Sequence, residues 1–264
     1  MAGDERLRGG NRALLKLTIL GSAAAVADAD HENTYMVLQG QRSSLLIDCG
    51  GSPMARLDRA GVDLETLDGL LVTHHHPDHI YGVSVLLLGL WLMGRERPFV
   101  VYGSRRALQV IPRMMQLMEW QVWPDMYPLT YRQIPWEEKA LVVDNDEYAV
   151  YTSPVQHLVP TVGLRIESKK TGRALAYSSD TRPCDAVVRL AQGADVLIHE
   201  SSGPFPGHST PVQAGEIAQQ AGVKRLLLIH YPVFLEDLDA WCSVAATAFD
   251  GPVELAQDFE VLEF

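Results

Sequence analysis

Four histidines and an aspartate fall within six consecutive residues, His74-His75-His76-Pro77-Asp78-His79. Imidazole nitrogen and carboxylate oxygen suit zinc, and also iron or manganese. In an extended loop alternate side chains share a face, so His74 and His76 converge on one ion. Asp78 and His79 lie just past the turn that Pro77 sets and reach toward a second ion nearby. His75 has the opposite parity and should point away. A solvated histidine tract is the ordinary alternative for such a run. This one directly follows Leu67–Thr73 (LDGLLVT), a short apolar run of the kind that makes a buried strand ending in a polar loop.

The rest of the chain supplies elements to hold these donors. Short β-rich runs at Leu14–Leu20, Thr34–Leu38 and Ser43–Ile47 are punctuated by Gly and Asp, as turn chemistry requires. A helix near Pro53–Ala60 precedes the LDGLLVT strand. An apolar helix at about 81–93 and a strand at Phe99–Tyr102 follow it. Arg105–Glu119 has helical spacing, with Leu108, Ile111, Met115 and Met118 on one side. Residues 120–136 read as a loop and then a strand. Strands are expected at 139–143, 147–153, 162–167 and 173–178, then a helix near 184–191 and a strand at Asp195–His199. Thr210–Ala221 opens with Thr-Pro, an N-cap followed by proline at the first helical position. Strand Arg225–Ile229, a helix at about 236–248 and a closing strand pair complete the chain. Polar residues recur just beyond strand C-termini, where α/β folds place their sites. The expected architecture is α/β, an αββα sandwich of two mixed β-sheets face to face with helices outside. It forms one domain, 13–264, behind a disordered lead-in, 1–12.

Composition narrows the function classes. The chain has 264 residues and is 47% hydrophobic, enough for one sizeable core. Its formal net charge of -11 argues against broad nucleic-acid binding, which uses basic surfaces. Part of that acidity sits in ligand candidates that a bound cation would offset. Three cysteines, Cys49, Cys184 and Cys242, are too few for a disulfide framework and read as reduced intracellular thiols. The start, MAGDERLRGGNR, has no apolar segment of a secretory leader, and the apolar run Val83–Met93 is too short to span a bilayer. A cytoplasmic protein without a membrane partner is expected.

The histidine motif and its flanks resemble the metallo-β-lactamase superfamily over nearly the whole chain. NTYMVLQGQRSSLLIDCG is similar to that family's opening hairpin, and GLLVTHHHPDHIYG to its signature. The resemblance implies three further ligands, each after a later strand: His157 in TSPVQHLVPTVG, Asp180 in LAYSSDT and His230 in RLLLIHYP. Taken singly, each is as readily a cap or a turn residue. Given the cluster, they are the best supply for two divalent ions, zinc first, with manganese or iron compatible. A carboxylate such as Asp180 has two oxygens and can bridge two cations. A water between them becomes a hydroxide near neutral pH, and Asp78 could orient it.

Within the superfamily, LLLGLWLMGRERPFVVYGSRRAL and DVLIHESSGPFPGHSTPVQAGEIAQQAGVKRLLLIHYP resemble ribonuclease Z-type proteins. There a His-Glu motif and a later His-Ser-Thr motif supply a Glu–His pair implied to shuttle a proton to the leaving group. His199-Glu200 and His208-Ser209-Thr210 match. The bland reading makes Glu200 a turn cap and His208 an exposed residue before a helix. Three departures stand out. Pro77 replaces a usual glycine, only seven residues separate Glu200 from His208, and only 22 separate His157 from Asp180. The last leaves no room for a long basic arm that grips transfer RNA.

The expected function is a metal-dependent hydrolase using a bridging hydroxide, a phosphodiesterase on a small substrate. Alternatives are hydrolysis of a lactone, thioester, sulfate ester or β-lactam, with tRNA 3′ endonuclease and di-iron redox chemistry ranked below, and a non-enzymatic RNA-binding member last. The resemblance also implies a homodimer. Residues 114–136 are dense in Met, Trp and Tyr and could form a lid or pocket wall, a dimer interface, or core.

Overall fold

A computed structural model describes residues 14–234 and 238–264. The lead-in expected at 1–12 lies outside the described residues. In chain order the elements are β1 (Lys16–Gly21), β2 (Tyr35–Gln39), β3 (Ser44–Ile47), α1 (Pro53–Arg59), β4 (Leu67–Val72), α2 (Pro77–Ile80), α3 (Val83–Leu92), β5 (Phe99–Gly103) and α4 (Ala107–Leu117). There follow a 3-10 turn (Trp120–Val122), β6 (Leu129–Gln133), β7 (Ala140–Asp144), β8 (Tyr148–Val155), β9 (Thr161–Ser168), β10 (Ala174–Tyr177) and α5 (Asp185–Ala191). The chain closes with β11 (Val196–Glu200), α6 (Pro211–Ala221), β12 (Arg225–Ile229), α7 (Asp239–Ala245), β13 (Val253–Leu255) and β14 (Val261–Glu263).

Two seven-stranded sheets result, ordered β14-β1-β2-β3-β4-β5-β6 and β13-β12-β11-β10-β9-β8-β7. Each is antiparallel in one half and parallel in the other. The first switches between β2–β3 and β3–β4, the second between β9–β10 and β10–β11.

Side-chain alternation explains the layers. Leu45 and Ile47 of β3 face the other sheet while Leu46 faces outward. On β12, Leu227 and Ile229 face inward while Leu226 and Leu228 meet the helices. Both faces are therefore covered, which is why these strands read as unbroken apolar runs rather than alternating ones. One cluster lies between the sheets, a second packs α1, α3 and α4 on the first sheet, and a third packs α5, α6 and α7 on the second. The architecture is the αββα sandwich read from the sequence.

Two local readings change, and a third that was left open is narrowed. Pro77 does not merely set a turn. It starts the short helix α2, with His76 extended before it (φ -66°, ψ 150°). Proline's fixed φ and missing N–H cost nothing at that position. The last helix begins at Asp239 rather than near 236, residues 235–237 lying outside the described set. Finally, residues 114–136 belong to the outer layer of the first sheet. Met115 and Tyr127 are buried there, Met114, Trp120, Trp123 and Met126 pack around them, and Trp91 stacks on Trp123. Part of their apolar density serves packing, while Leu117, Met118, Val122 and Trp136 are exposed, and none of the segment lines the cavity described next.

Among the described residues, no helix is long and apolar enough to cross a membrane.

Candidate metal centre

The loops that leave β4, β8, β10 and β12 meet at one edge of the sandwich. They bring His74, His76, Asp78, His79, His157, Asp180 and His230 together as two overlapping quartets. The first is His74, His76, His157 and Asp180. The second is Asp78, His79, Asp180 and His230. Within each, one donor atom per residue lies within 4.8 Å of all the others. Asp180 belongs to both. Its Oδ2 stands 3.6 Å from His74 Nε2 and 3.3 Å from His230 Nε2, and its Oδ1 stands 3.5 Å from His79 Nε2. Asp78 Oδ2 is 3.5 Å from His79 Nε2. His76 presents Nδ1, at 3.1 Å from both His74 Nε2 and His157 Nε2. His75 belongs to neither quartet.

The outer nitrogens fix which way the lone pairs face. Thr73 Oγ1 donates to Asp48 Oδ2 (2.8 Å), so it accepts from His74 Nδ1 (3.1 Å). Thr34 Oγ1 donates to the Ala23 carbonyl (2.9 Å), so it accepts from His230 Nδ1 (3.0 Å). His79 Nδ1 donates to Asp48 Oδ2 (2.9 Å), and His157 Nδ1 to the Gly207 carbonyl (2.8 Å). These assignments follow from the hydrogen-bond network. All four imidazoles thus carry their proton outward and aim a bare Nε2 at the shared space. His79 Nε2 and Asp180 Oδ1 are buried there without a hydrogen-bond partner. Converging lone pairs and orphaned buried acceptors are what a cation satisfies, so the residues present fit a pair of ions.

Electrostatics favour a cation at Asp180 and His74, and a competing proton at His79. Burial would raise the Asp180 carboxyl, but His230, His79 and His74 around it hold it well below the ordinary range. Burial and the neighbouring His79 push His74 well below the usual histidine value. Burial also disfavours charge on His79, yet Asp180 and Asp48 on its two sides outweigh this and raise it well above that value.

Backbone geometry delivers these groups. Asp48, Ser179 and His230 all adopt left-handed φ (60°, 53° and 52°), each just past a strand end. Such conformations are uncommon for residues with a Cβ and concentrate at functional sites.

The sequence-matched pair is also assembled. Glu200, at the end of β11, is fully buried. Its Oε1 accepts from Thr181 N (3.2 Å), Ser209 N (2.9 Å) and His208 Nδ1 (3.1 Å), and its Oε2 from Ser202 N (2.8 Å). Burial opposes charge on His208, but this bond and the Glu200 charge prevail, leaving its pKa above the ordinary value. His208 shares a cavity of about 260 Å³ with His76, Asp78, Asp180 and His230. Asp48, Thr73, Thr34 and Gly207 were not foreseen as contributors. Only Asp48 left a trace, as an acid immediately after the apolar run SLLI.

An αββα sandwich with this double His/Asp cluster at its edge is the framework of a metallo-hydrolase. Residues 43–231 match the family model described as the beta-lactamase superfamily domain. A ribonuclease Z of Methanothermobacter thermautotrophicus is 27% identical over 95% of this chain and 97% of its own length. Another, of Mycolicibacterium gilvum, is 27% identical over 93% and 94%. Among solved structures, the metallo-beta-lactamase fold protein YhfI from Bacillus subtilis aligns with TM-score 0.79 at 24% identity, covering 95% of this chain and all of that one (100%). The short form of human tRNase Z aligns with TM-score 0.76 at 25% identity, covering 94% and 98%. The chain belongs to the metallo-β-lactamase superfamily, in its ribonuclease Z-like branch.

Proposed function

We propose that this protein is a phosphodiesterase that works with two divalent ions, zinc in the first instance. His74, His76 and His157 would hold one ion, Asp78, His79 and His230 the other, and Asp180 both. When bound, the ions polarise the phosphate oxygens and acidify a water at the site. The chain's own groups do the rest. Asp78 lines the cavity and is placed to orient the attacking water through its carboxylate. His208 holds a proton at Nε2, and Glu200 fixes its Nδ1–H, so the imidazole presents an acid to the departing ester oxygen.

The observation that carries this reading is His208, held by buried Glu200, opening into the same cavity as the metal cluster. An alkoxide leaving group needs a proton, and this pair supplies one where the bond breaks. A small diester is favoured over a long RNA by the net charge of -11 and by the 22-residue span between His157 and Asp180. The ribonuclease Z relatives favour a second reading, cleavage near RNA 3′ ends, and both belong in the same assay.

The test is hydrolysis of bis(p-nitrophenyl) phosphate, a dialkyl-type diester and a 3′-extended tRNA by wild type, a chelated sample, Asp180→Ala and His208→Ala. Wild-type turnover should vanish on chelation and in Asp180→Ala. Loss in His208→Ala should approach the 10²–10⁴-fold typical of a general acid on the alkoxide substrate, and be smaller for p-nitrophenolate, which departs unaided. Metal-loaded protein that hydrolyses lactones, thioesters or sulfate esters but no phosphodiester overturns the proposal.

A further inference from the structure

The cavity at the metal cluster has a second wall, made of Ala24, Ala25, Val26, Phe205, Pro232 and Phe234. Three of these apolar side chains stand largely in solvent: Val26 is 59% exposed, Phe205 57% and Phe234 62%. Among the described residues, none that lines the cavity is a lysine or arginine. Exposed apolar groups rimming a polar centre mark a binding surface rather than a packing accident.

The wall is built on firm parts. Ala23 forms isolated bridges with both Asn33 and Tyr231, and Ala24 N donates to the Tyr231 carbonyl at 3.0 Å. Ala23, Tyr231 and Val233 make a small buried cluster of their own, against which Trp241 packs. Trp241 Nε1 is tied to the Ser201 carbonyl at 2.8 Å. Phe205 sits between Gly203 and Gly207, whose φ values of 106° and 82° shape the turn that also carries His208. Phe234 follows the strand-end segment that begins at His230. Both rings line the same cavity as the proton donor His208 and the metal-facing His230.

We propose that this wall selects diesters whose ester group carries a planar apolar ring, held against Phe205 and Phe234. The proposal rests on the phosphodiester reading above and names its substrate class. A phosphate's charge has its partners in the metal cluster. Beside that cluster the cavity offers no cation for a second phosphate, but it offers aromatic faces and small alanines. A volume of about 260 Å³ lies below the roughly 300–1,000 Å³ of sites that enclose drug-sized ligands, so it takes one ring rather than a long chain.

The experiment compares bis(p-nitrophenyl) phosphate with ethyl p-nitrophenyl phosphate, which share a leaving group and differ in the other ester. The ratio of their kcat/KM values should favour the ring in wild type and fall about tenfold in Phe205→Ala and in Phe234→Ala, with Phe205→Leu intermediate, as expected for loss of an aromatic contact. Metal content and thermal stability are measured on each variant so that a misfolded sample is recognised. In parallel, phenylphosphonate and methylphosphonate are titrated into the metal-loaded protein. Phenylphosphonate should bind about tenfold more tightly, and the preference should shrink in the same variants. A wild-type preference near one in both measurements, or one that survives both alanine substitutions, overturns the inference. If neither diester turns over, the phosphodiester reading fails, and the phosphonate titration still decides whether the wall holds a ring.

Discussion

Asp48 is the sharpest test of the site's logic, because it touches no substrate yet orients two ligand histidines. Its carboxylate accepts from Thr73 N (2.8 Å), Thr73 Oγ1 (2.8 Å) and His79 Nδ1 (2.9 Å) in full burial. Asp48→Asn keeps the shape and replaces one oxygen by an NH₂ group. At Oδ1 that group would face the Thr73 N–H, and at Oδ2 it would face Thr73 Oγ1 and His79 Nδ1, where His79 would have to move its proton to Nε2, the atom aimed at the metal space; either way one buried donor loses its acceptor and the hold on His79 weakens. A hydrogen bond to a charged group is worth about 1.5–3 kcal/mol. Mutating an outer partner of a metal-bound histidine typically costs about 10–100-fold in affinity, or roughly 1.4–2.7 kcal/mol. The two estimates agree. Chelator competition, with metal content of the isolated protein alongside, should find the site of Asp78, His79 and His230 weakened by about that factor. The site of His74, His76 and His157 should change less, because Asp48 reaches it only through Thr73. Wild-type affinity at both sites would refute the tautomer argument. Equal loss at both would refute the claim that Asp48 acts on His79.

Gly207→Ala places a Cβ 2.9 Å from His157 Nδ1 at a φ of 82°. It should lower stability by about 1–2 kcal/mol, read by urea unfolding, and weaken the first metal site. Chelation strands His79 Nε2 and Asp180 Oδ1 without partners. At ion concentrations about 1,000-fold above Kd, the Tm should fall by about 10 °C on addition of chelator, measured by scanning calorimetry. Asp195 accepts from Ala174 N (2.9 Å) and Lys224 Nζ (2.7 Å). Burial opposes its charge, but these bonds hold its pKa below the ordinary aspartate value. The stability it gives is full above about pH 3.9 and is lost as pH falls through the lower folded-state pKa. Asp195→Asn should therefore be less stable than wild type at neutral pH and converge with it in acid, followed by denaturant titrations across pH.

How much of this was legible depends on the range of the interaction. The cluster at His74–His79 declared itself because five ligand-type residues in six have little other reason to adjoin a buried strand. Strand positions were legible where both faces are covered, as in Leu226–Ile229, since burial demands an unbroken apolar run. The companions of the imidazoles were not legible. Thr34, Thr73 and the Gly207 carbonyl are common polar groups, and only folding makes them partners of His230, His74 and His157. The left-handed turn at Ser179 left no signal, because serine does not favour that conformation, and at His230 the enrichment of histidine there is too weak to read from one position. The aromatics of 114–136 left their role open. Their density is equally that of a pocket wall and of an outer packing layer, and composition alone does not say which face of a sheet they cover.

The true pocket wall has the opposite signature. Val26, Phe205 and Phe234 lie in three separate loops far apart in the chain, so no local window gathers them. What joins them is the bridge from Ala23 to Tyr231 and the turn between Gly203 and Gly207, both long-range consequences of sheet order. Half of the chemistry is therefore encoded densely, in the His74–His79 loop, while His157, Asp180, His230 and the pocket wall are encoded sparsely, in single residues near the ends of distant strands. Loops tolerate substitution because few buried groups depend on them. Exchange of Phe205 or Phe234 can then retune the substrate while the outward-protonated imidazoles, each held by its own acceptor, keep the metal geometry fixed.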